Sequence, residues 1–590
     1  METGIPFRPI TASSAIGGYL LTTQAPQYLL FSRPTFIGTF LQLFVVQFLI
    51  WAIWHTQLWP RYFSPLRHLP GPKEGNSLFH GQFKRIKDEP TGYPAAEWYL
   101  LTLKRHLPVY MLIFYANRVN TIPNDGLIRY LGMFNSERLI LTSPKALSEV
   151  LTTKSYEFIK PSHVRAGIGR ILGIGVLLAE GDEHKFQRKH LMPAFQFRHV
   201  KNLYPVFWAK SKEAIATMSA FIDANAGKPS EGNTDADQAP ASDQAILELQ
   251  GWASRATLDI IGVAGMGRDF GSLADINEPL YQTYNKIFKP SKQAQLLGIL
   301  SLFFPMWIVR RIPVKRNGEM EAAAQTIRDV TRGLIRHKKA QLEKAELRDA
   351  DILSVAMESG IFTEEQLIDQ MMTFLAAGHE TTASAMTWAI YMLCRYPEIQ
   401  SRLRAEIHAK LPSPLGADAD ASQVTNTDID NMPYLNAVCN EVLRYYSPVP
   451  MTLREASRDT TILNQPVPKG TKIMIVAAAT NKDAALWGSD AATFNPDRWM
   501  PTANNKEYVA NGGAASNYSL LTFLHGPRSC IGQGFAKAEF ACLLAAFVGG
   551  MEFELRDKKE MEEKQMLIKG GITARPAKGL WVKVRKVEGW

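Results

Sequence analysis

The chain has 590 residues, of which 46% are hydrophobic and 21% are charged, and this balance is typical of globular proteins and excludes a wholly disordered chain. Its four cysteines form no Cys-x-x-Cys pair, so we expect neither a zinc ribbon nor a disulfide scaffold. This usage fits a reducing compartment. The formal net charge is +10, yet no dense Lys/Arg block or nucleic-acid motif accompanies it. We therefore expect no nucleic-acid partner, and a membrane surface or an acidic protein instead.

The first element predicted along the chain is a transmembrane anchor over residues 34–56. The segment from Phe36 to Trp54 contains no charged residue. A run of about 19 apolar residues is long enough to cross a bilayer. Gln42 and Gln47 weaken this interpretation, and the alternative is a helix buried in a protein core. A cleaved signal peptide fits less well, because the apolar run is long and lies far from the start.

Charges on either side of this segment predict its orientation. The cations that follow it outnumber those that precede it: Arg61, Arg67 and Lys73 against Arg8 and Arg33. The positive-inside rule then places the body of the protein in the cytosol. We expect a single-pass protein, with residues 1–33 as an N-terminal tail. Residues 57–72 are expected to form a stiff hinge, since Pro65, Pro70 and Pro72 fix the backbone and block helix.

Residues 99–118 interrupt the pattern of the chain. Tyr99 to Arg118 alternates basic and apolar residues and separates two ordinary polar stretches. We interpret it as a possible insertion or as a translated intron in the gene prediction. A membrane-contacting helix is the alternative that the composition permits. Sequencing of the mature transcript distinguishes the two explanations, since a transcript with these codons in frame excludes the intron.

A basic helix is predicted around His184 and Arg188. The two residues are four apart, so on a helix they lie on the same face. This spacing allows both side chains to reach one ligand. A solvated basic face is the alternative on pattern alone.

The longest predicted helix begins at a capping box, Thr363-Glu-Glu-Gln366, and runs to Arg395. Its centre reads Ala377-Gly378-His-Glu-Thr-Thr, and glycine within a helix weakens or bends it. The carboxylic acid and the hydroxyl that follow this glycine suit the delivery of protons to a substrate in a pocket. The pair is Glu380 and Thr381. The alternative is a helix packed by small residues, and a metalloprotease is excluded because Ala383 stands where a second histidine is needed.

The last motif places one cysteine, Cys530, between two glycines, Gly526 and Gly532. It precedes an apolar run that predicts a helix, so its thiolate would lie near free N–H groups at the helix N-terminus. The glycines allow a tight turn and the close approach of a flat ligand. Such a thiolate can serve as an axial haem ligand. A buried structural cysteine is the alternative for a cysteine taken alone.

The spacing F-x-x-G-x-R-x-C-x-G resembles the haem-binding loop of the cytochrome P450 monooxygenases, at Phe523, Gly526, Arg528, Cys530 and Gly532. The upstream motifs occur in the order found in that family, and the anchor followed by a proline hinge resembles its microsomal members. The resemblance covers nearly everything from Pro70 to the C-terminus, except residues 99–118.

The resemblance implies a mainly α-helical fold with small β-sheets, in which residues 73–590 form a single large haem domain. It implies haem b as the cofactor, with iron bound by the axial thiolate of Cys530. His184 and Arg188 are then expected at one haem propionate and Arg454 at the other. The other residues expected to border the haem are Phe523, Gly526, Arg528, Gly532, Ala377 and Gly378.

Two further groups of residues take roles from the family. Thr381, with Glu380, is expected to relay protons during the activation of dioxygen. Glu441 and Arg444 form an E-x-x-R pair, which on its own is most often a weak surface pair. In the family this pair is buried and joined by a later arginine, here expected to be Arg498. Its role would be to shape the haem loop.

The implied reaction inserts one atom of dioxygen into a lipophilic small molecule by hydroxylation or epoxidation. Electrons would come from NADPH through a separate flavoprotein reductase, with cytochrome b5 as a further candidate donor. The expected location is the endoplasmic reticulum membrane. The run from Leu521 to Ala536 has a fungal character, which favours a secondary metabolite, a terpenoid or polyketide, as substrate. The alternative is fatty-acid or xenobiotic hydroxylation.

Two other classes of protein compete with a monooxygenase. One is a haem-thiolate isomerase or dehydratase that needs no reductase, and Thr381 argues against it. The other is a non-catalytic haem sensor or membrane scaffold, against which the retained Glu380 and propionate arginines argue. Consumption of NADPH that depends on a reductase distinguishes all three.

Overall fold

A computed structural model describes most of the chain. The described residues are 6–24, 35–72, 77, 81–82, 84–85, 94–95, 98, 122, 124–228, 240–288, 291–301, 304, 306–344, 351–413, 424–501, 511–569 and 572–590. The segment Tyr99–Arg118, which we interpret as an insertion, lies outside these residues.

Helices dominate the described residues, as the predicted fold class requires. In chain order they are α1 Phe7–Gln24, α2 Phe36–Ile53, α3 Pro144–Ser148, α4 Ser162–Leu172, α5 Gly181–Leu191, α6 Phe197–Val200, α7 Tyr204–Asn225, α8 Leu249–Met266, α9 Pro279–Phe288, α10 Lys292–Leu300, α11 Met306–Val309, α12 Lys315–Glu343, α13 Ile352–Glu358, α14 Glu364–Arg395, α15 Pro397–Lys410, α16 Asn426–Asp430, α17 Pro433–Tyr445, α18 Ala477–Thr480, α19 Ala484–Trp487 and α20 Gln533–Gly550.

The strands are short and form small sheets. They are β1 Leu127–Leu131, β2 Glu137–Leu141, β3 Phe158–Ile159, β4 Ala245–Glu248, β5 Thr452–Ala456, β6 Thr460–Ile462, β7 Gln465–Val467, β8 Lys472–Ile475, β9 Met551–Leu555, β10 Ile568–Lys569, β11 Arg575–Pro576 and β12 Trp581–Lys586. The largest described sheet has the order β1-β2-β8-β5-β3, with β2 and β8 parallel. It brings Arg454 on β5 next to the helical core, opposite Ile473 on β8.

The long helix α14 forms the centre of the helical core. It is buried along most of its length, because neighbouring helices cover it on several sides. Helix α8 packs beside it, and the Thr257 hydroxyl donates a 2.9 Å hydrogen bond to the backbone carbonyl of His379. Helix α20 is also buried almost throughout and packs against both α7 and α14. These two buried helices therefore lie next to each other, one after the cysteine motif and one carrying Glu380 and Thr381.

The N-terminal segments differ from their predicted bounds. The predicted tail contains helix α1, and the helical run that begins at Phe36 continues in π-helical form through Trp54–Phe63. Residues 57–63 therefore belong to the anchor helix and not to the hinge, which begins at Ser64. The extended part of the helix contacts the body of the protein, where Asn135 donates a 2.6 Å hydrogen bond to the carbonyl of Thr56. Of the helices in the described part of the chain, Phe36–Phe63 alone is long and apolar enough to cross a membrane.

Candidate active site

A cavity of about 530 Å³ lies between the middle of α14 and the loop that contains Cys530. Most of its lining is apolar. Of the residues predicted from the sequence, these border it: Cys530, His184, Arg188, Arg454, Arg528, Phe523, Gly532, Ala377, Gly378, Glu380 and Thr381. Gly526 supports the cysteine loop from behind, while Glu441, Arg444 and Arg498 lie elsewhere. Segments far apart in the sequence thus meet at one cavity.

The cysteine loop is held by its own backbone. The amide of Cys530 donates a 2.8 Å hydrogen bond to the carbonyl of Phe523, which closes the turn. Gly526 has a φ of 77°, and a Cβ atom there would collide with the carbonyl oxygen of Leu151. Any other residue at this position would be strained and would push the loop away from the segment beneath it. Gly532 follows, immediately before the first residue of α20.

The environment of Cys530 has opposing effects on its thiol. Cys530 is exposed to the cavity, but the surrounding protein still desolvates its thiol and raises its pKa, while the backbone N–H of Gly532 and the guanidinium of Arg188 lower it. The Gly532 N–H is the kind of group expected beside a cysteine at a helix N-terminus, yet desolvation outweighs it and Arg188 together. A metal ion bound to the sulfur would remove the proton outright. The site therefore suits a thiolate that forms on binding iron.

On the opposite wall, α14 begins with the predicted capping box and continues without interruption past Gly378. The expected weakening at this glycine does not break the helix. A Cβ atom at Gly378 would lie 3.0 Å from the side chain of Ile261, so the glycine lets α8 approach closely. The Thr381 hydroxyl donates a 2.8 Å hydrogen bond to the carbonyl of Ala377 one turn earlier. Its oxygen remains available to accept a proton or a hydrogen bond from the cavity side.

Glu380 forms an ion pair with Arg575, a partner that the sequence patterns did not indicate. Burial raises the pKa of Glu380 to about 7, although Arg575 and a hydrogen bond from Thr573 both act to lower it. The acid is therefore poised to hold or release a proton near neutral pH. The segment that carries Arg575 is fixed on α14, because the Ser384 hydroxyl and the Trp388 indole both donate to the carbonyl of Ala574.

His379, next to Glu380, is buried and contacts the protein around it. Its Nδ1 lies 2.5 Å from the carbonyl of Leu375 and its ring packs against Tyr284. Burial lowers its pKa to about 4, so the ring is neutral at physiological pH.

Basic side chains gather at one edge of the cavity. They are Lys160, His184, Arg188, Arg454 and Arg528, and all five line the cavity. Burial and the neighbouring cations lower the pKa of His184 to about 3 and that of Arg454 to about 10. The same two causes hold the pKa of Lys160 well below its usual value. One carboxylate, that of Glu180, pairs with Arg528 in this cluster.

Several of these basic groups are oriented by the protein itself. Arg188 donates to the backbone carbonyl of Ser529 at 2.6 Å and so ties α5 to the residue before Cys530. The Nδ1 atom of His184 lies 3.1 Å from the hydroxyl of Tyr156. Arg454 donates to its neighbour Thr452 at 3.0 Å. These contacts fix the groups in place at the cavity edge.

The cluster fits the carboxylates of a haem. Buried like charges are costly unless an anion compensates them, and haem carries two propionates at one edge of a flat, otherwise apolar ring. The apolar walls would match the ring, the thiol would match the iron, and the cations at one edge would match the propionates. Haem would be held by Cys530 and by this cluster, in which Lys160, Tyr156 and Glu180 are members that sequence patterns did not reveal.

Glu441, Arg444 and Arg498 meet outside the cavity. Arg444 donates two hydrogen bonds to the Glu441 carboxylate at 2.7 and 2.8 Å, and Arg498 donates a third at 3.2 Å. The Trp499 indole and the Asn495 amide also donate to this carboxylate. All three charged side chains are buried, and Arg444 also donates to backbone carbonyls around it. The network joins α17 to the segment that precedes the cysteine loop.

Comparison with known proteins agrees with this geometry. The cytochrome P450 family model matches residues 124–581. The chain is 44% identical to the cytochrome P450 monooxygenase ALT8 of Alternaria alternata, over 92% of this chain and 93% of that protein. It is 43% identical to the cytochrome P450 monooxygenase FUM15 of Gibberella moniliformis, over 91% of each chain, and 45% identical to sphH of Aspergillus fumigatus, over 90% of each. The chain belongs to the cytochrome P450 family of monooxygenases.

Proposed function

We propose that the protein is a membrane-anchored haem-thiolate monooxygenase that inserts one atom of dioxygen into a lipophilic small molecule of fungal secondary metabolism. The observation that carries the proposal is a single apolar cavity with a thiol on one wall and an acid–hydroxyl pair on the other. Haem, when bound to Cys530, supplies the redox chemistry that activates dioxygen. The names of the fungal relatives support the reaction class.

The two walls of the cavity take separate roles. Arg188 and the Gly532 N–H stabilise negative charge on the Cys530 sulfur. Across the cavity, Glu380 is partly protonated near neutral pH, and Thr381 relays the proton to an acceptor in the cavity. Apolar residues such as Ile261 and Phe374 exclude water from the same space. These residues therefore control when protons reach the bound dioxygen.

Substrate recognition depends on apolar contact. The cavity lining away from the basic edge includes Leu172, Val176, Val449 and Ile572. Such walls favour a hydrophobic ligand and provide few polar groups to fix its orientation. A terpenoid or polyketide fits this chemistry, which supports the proposed substrate class without selecting one compound.

Electrons are proposed to come from NADPH through a separate reductase. Helix α5 exposes Lys189 at the surface, and the same helix holds the cysteine loop through the contact between Arg188 and Ser529. With a net charge of +10, the protein suits an acidic flavoprotein partner. The anchor formed by Phe36–Phe63 would hold both proteins on the cytosolic face of the endoplasmic reticulum.

The test uses the full chain in lipid nanodiscs, supplied with haem, a fungal reductase and NADPH. We expect the wild-type protein to show the carbon monoxide difference band of a haem thiolate, and Cys530→Ala to lose the band and all product. Retained oxygenation in Cys530→Ala contradicts the proposal. Extracts of the source organism with and without the gene provide candidate substrates, and incorporation of oxygen-18 gas into the product separates oxygenation from isomerisation.

A further inference from the structure

The segment before the anchor forms a helix that packs along it. Residue numbers rise on α1 as they fall on α2 at successive contacts. A Cβ atom at Gly18 would lie 3.4 Å from the Phe40 backbone, and one at Gly17 would lie 3.1 Å from the Leu43 side chain. Further along, Gln47 contacts α1 through side-chain hydrogen bonds. The two helices are therefore antiparallel and approach closely where α1 has small residues.

Polar groups between the two helices satisfy one another. Gln47 Nε2 donates to Ser14 Oγ at 3.3 Å, and Ser13 Oγ donates to Gln47 Oε1 at 2.6 Å. Ser14 is fully buried and Thr39 is 4% exposed, although most of the large hydrophobic residues of the two helices are exposed. A bilayer core offers no water, so polar groups there must be satisfied within the protein. Gln47, which weakens α2 as an isolated span, has its partners on α1.

Two further hydroxyls of α1 donate to carbonyls of the same helix. Thr22 donates to the carbonyl of Gly18 and Thr23 to that of Tyr19, both at 2.7 Å. Helices with small residues at the interface and internally bonded hydroxyls are typical of packing within membranes. Both helices have 18 residues, which corresponds to about 27 Å and approaches the thickness of a bilayer core.

The outward faces of both helices are apolar. Their exposed large hydrophobic residues are Phe7, Ile16, Leu20, Phe36, Ile37, Leu41, Val45, Val46, Leu49, Ile50 and Ile53. Tyr19 on α1 and Trp54 and Tyr62 beyond α2 are also exposed, and aromatic residues of this kind favour the membrane interface. A continuous apolar surface of this extent is unfavourable in water, and a lipid bilayer would bury the exposed faces of both helices at once.

The distribution of charge favours one arrangement of the hairpin. Between Pro6 and Lys73 the sequence has no acidic residue. Arg8 lies in the first turn of α1, while Arg61 follows α2 on the side where the helix docks on the body through the Pro60 carbonyl and Arg129. If α1 and α2 both cross the membrane, Arg8 and Arg61 lie on the same side as the body. The positive-inside rule favours that arrangement over one with Arg8 on the far side.

We propose that α1 and α2 form a helical hairpin inserted in the lipid bilayer, so that the N-terminus returns to the same side of the membrane as the catalytic domain. This proposal rests on the proposed membrane anchor and replaces the single pass expected from the sequence. Helix α1 is less apolar than α2, and its insertion depends on the contacts with Gln47 and Phe40. The connection between the helices, residues 25–34, then lies on the opposite side.

The test places single reporter cysteines in the full chain, expressed in microsomes and labelled with a membrane-impermeant maleimide. Thr3→Cys reports the N-terminus and Ser32→Cys reports the connection, with the wild-type protein as background. We expect Thr3→Cys to react in intact microsomes and Ser32→Cys to react only after permeabilisation. If both are protected, α2 crosses the membrane alone and the hairpin is wrong. If both react in intact microsomes, α2 does not cross, and the anchor itself is wrong.

A second pair of variants tests the interface in the Thr3→Cys background. Gly18→Leu places a large side chain against the Phe40 backbone and should separate α1 from α2. Most Thr3→Cys label in intact microsomes should then be lost. Ile16→Leu changes a lipid-facing residue of the same helix and should leave the labelling unchanged. Equal labelling in both variants would show that the contact with α2 does not hold α1 in place.

Discussion

Glu441 and Glu380 are both buried glutamates, yet their surroundings differ in the supply of hydrogen-bond donors. Glu441 receives donors from Arg444, Arg498, Trp499 and the Asn495 amide. Burial acts to raise its pKa, but Arg444, Arg498 and the Asn495 amide lower it below its usual value. Glu380 has mainly Arg575 and Thr573, and burial prevails, raising its pKa to about 7. Burial penalises both anions, so the number and charge of the donors decide which one stays ionised.

This difference in pKa matches the locations of the two carboxylates, one in a buried ion-pair network and the other at the cavity. An ionised, fully paired carboxylate holds segments together, as Glu441 does between α17 and the segment with Asn495 and Trp499. A partly paired carboxylate that borders the cavity changes its protonation easily, as the proposed role of Glu380 requires. The same residue type thus serves as a structural anion in one region and as a proton donor in the other.

The largest effect is expected from Glu441→Gln, which breaks the buried network with Arg444 and Arg498 and should lower the free energy of unfolding. The change leaves Arg444 and Arg498 buried without their shared anion, and removing one partner of a buried ion pair costs about 3–5 kcal/mol. Chemical denaturation should show this loss of unfolding free energy, together with poor haem retention. Asp490→Asn is the matched control, because Asp490 pairs with Arg498 but is half-exposed, and such pairs contribute about 0–1 kcal/mol. Equal losses in the two variants would contradict the comparison.

Glu380→Gln tests whether Glu380 donates protons at the cavity. The variant keeps the shape of the side chain but cannot release a proton, so we expect product formation to fall on the order of 100-fold while haem remains bound. Electrons should be diverted to peroxide, measured as peroxide formed for each NADPH consumed. Thr381→Ala should show the same diversion. Unchanged coupling in both variants would remove the proton relay from the mechanism.

The pH dependence of coupling sharpens the assignment to Glu380. As the proton donor it must be protonated, so coupling should be high at low pH and fall as the pH rises through about 7. Arg575 lowers this pKa, hence Arg575→Gln should move the fall to higher pH, while Arg575→Lys should largely restore it. His379 and Tyr281 also lie near this carboxylate. The pKa of His379 is lowered to about 4 and that of Tyr281 is raised, so neither group changes charge near pH 7. A profile that is identical in Arg575→Gln would exclude Glu380 as its source.

The smallest effect is expected at Glu539 on α20, which extends the comparison to a carboxylate without a strong partner. Within the described residues its two oxygens form no hydrogen bond of good geometry, and burial raises its pKa well above the usual value, opposed only by the nearby Thr382 hydroxyl. Because the pKa of Glu539 is raised in the folded protein, its ionisation costs no stability below the pKa of an unfolded glutamate. Above that pH the folded state becomes progressively less stable. Glu539→Gln should therefore raise the melting temperature at neutral pH and leave it unchanged in acid. A lower melting temperature at neutral pH would show that the carboxylate has a stabilising partner.

Sequence patterns predicted the elements whose signal is local. The capping box at Thr363 begins α14, the apolar run after Cys530 forms α20, and the apolar segment from Phe36 forms a helix suited to a membrane. Each of these depends on residues a few positions apart, where helix caps, periodicity and composition act directly. The order of the motifs likewise indicated the family before the fold was known.

Tertiary structure decided the partners. Arg575 lies far along the chain from Glu380, and only the docking of Ala574 on Ser384 and Trp388 brings it to the acid. Lys160 joins the basic edge of the cavity for the same reason, through the packing of separate segments around one space. The sequence by itself determined which chemical groups are present and which helices carry them. Their pKa values and pairings depend on burial and on distant neighbours, which only the folded chain supplies.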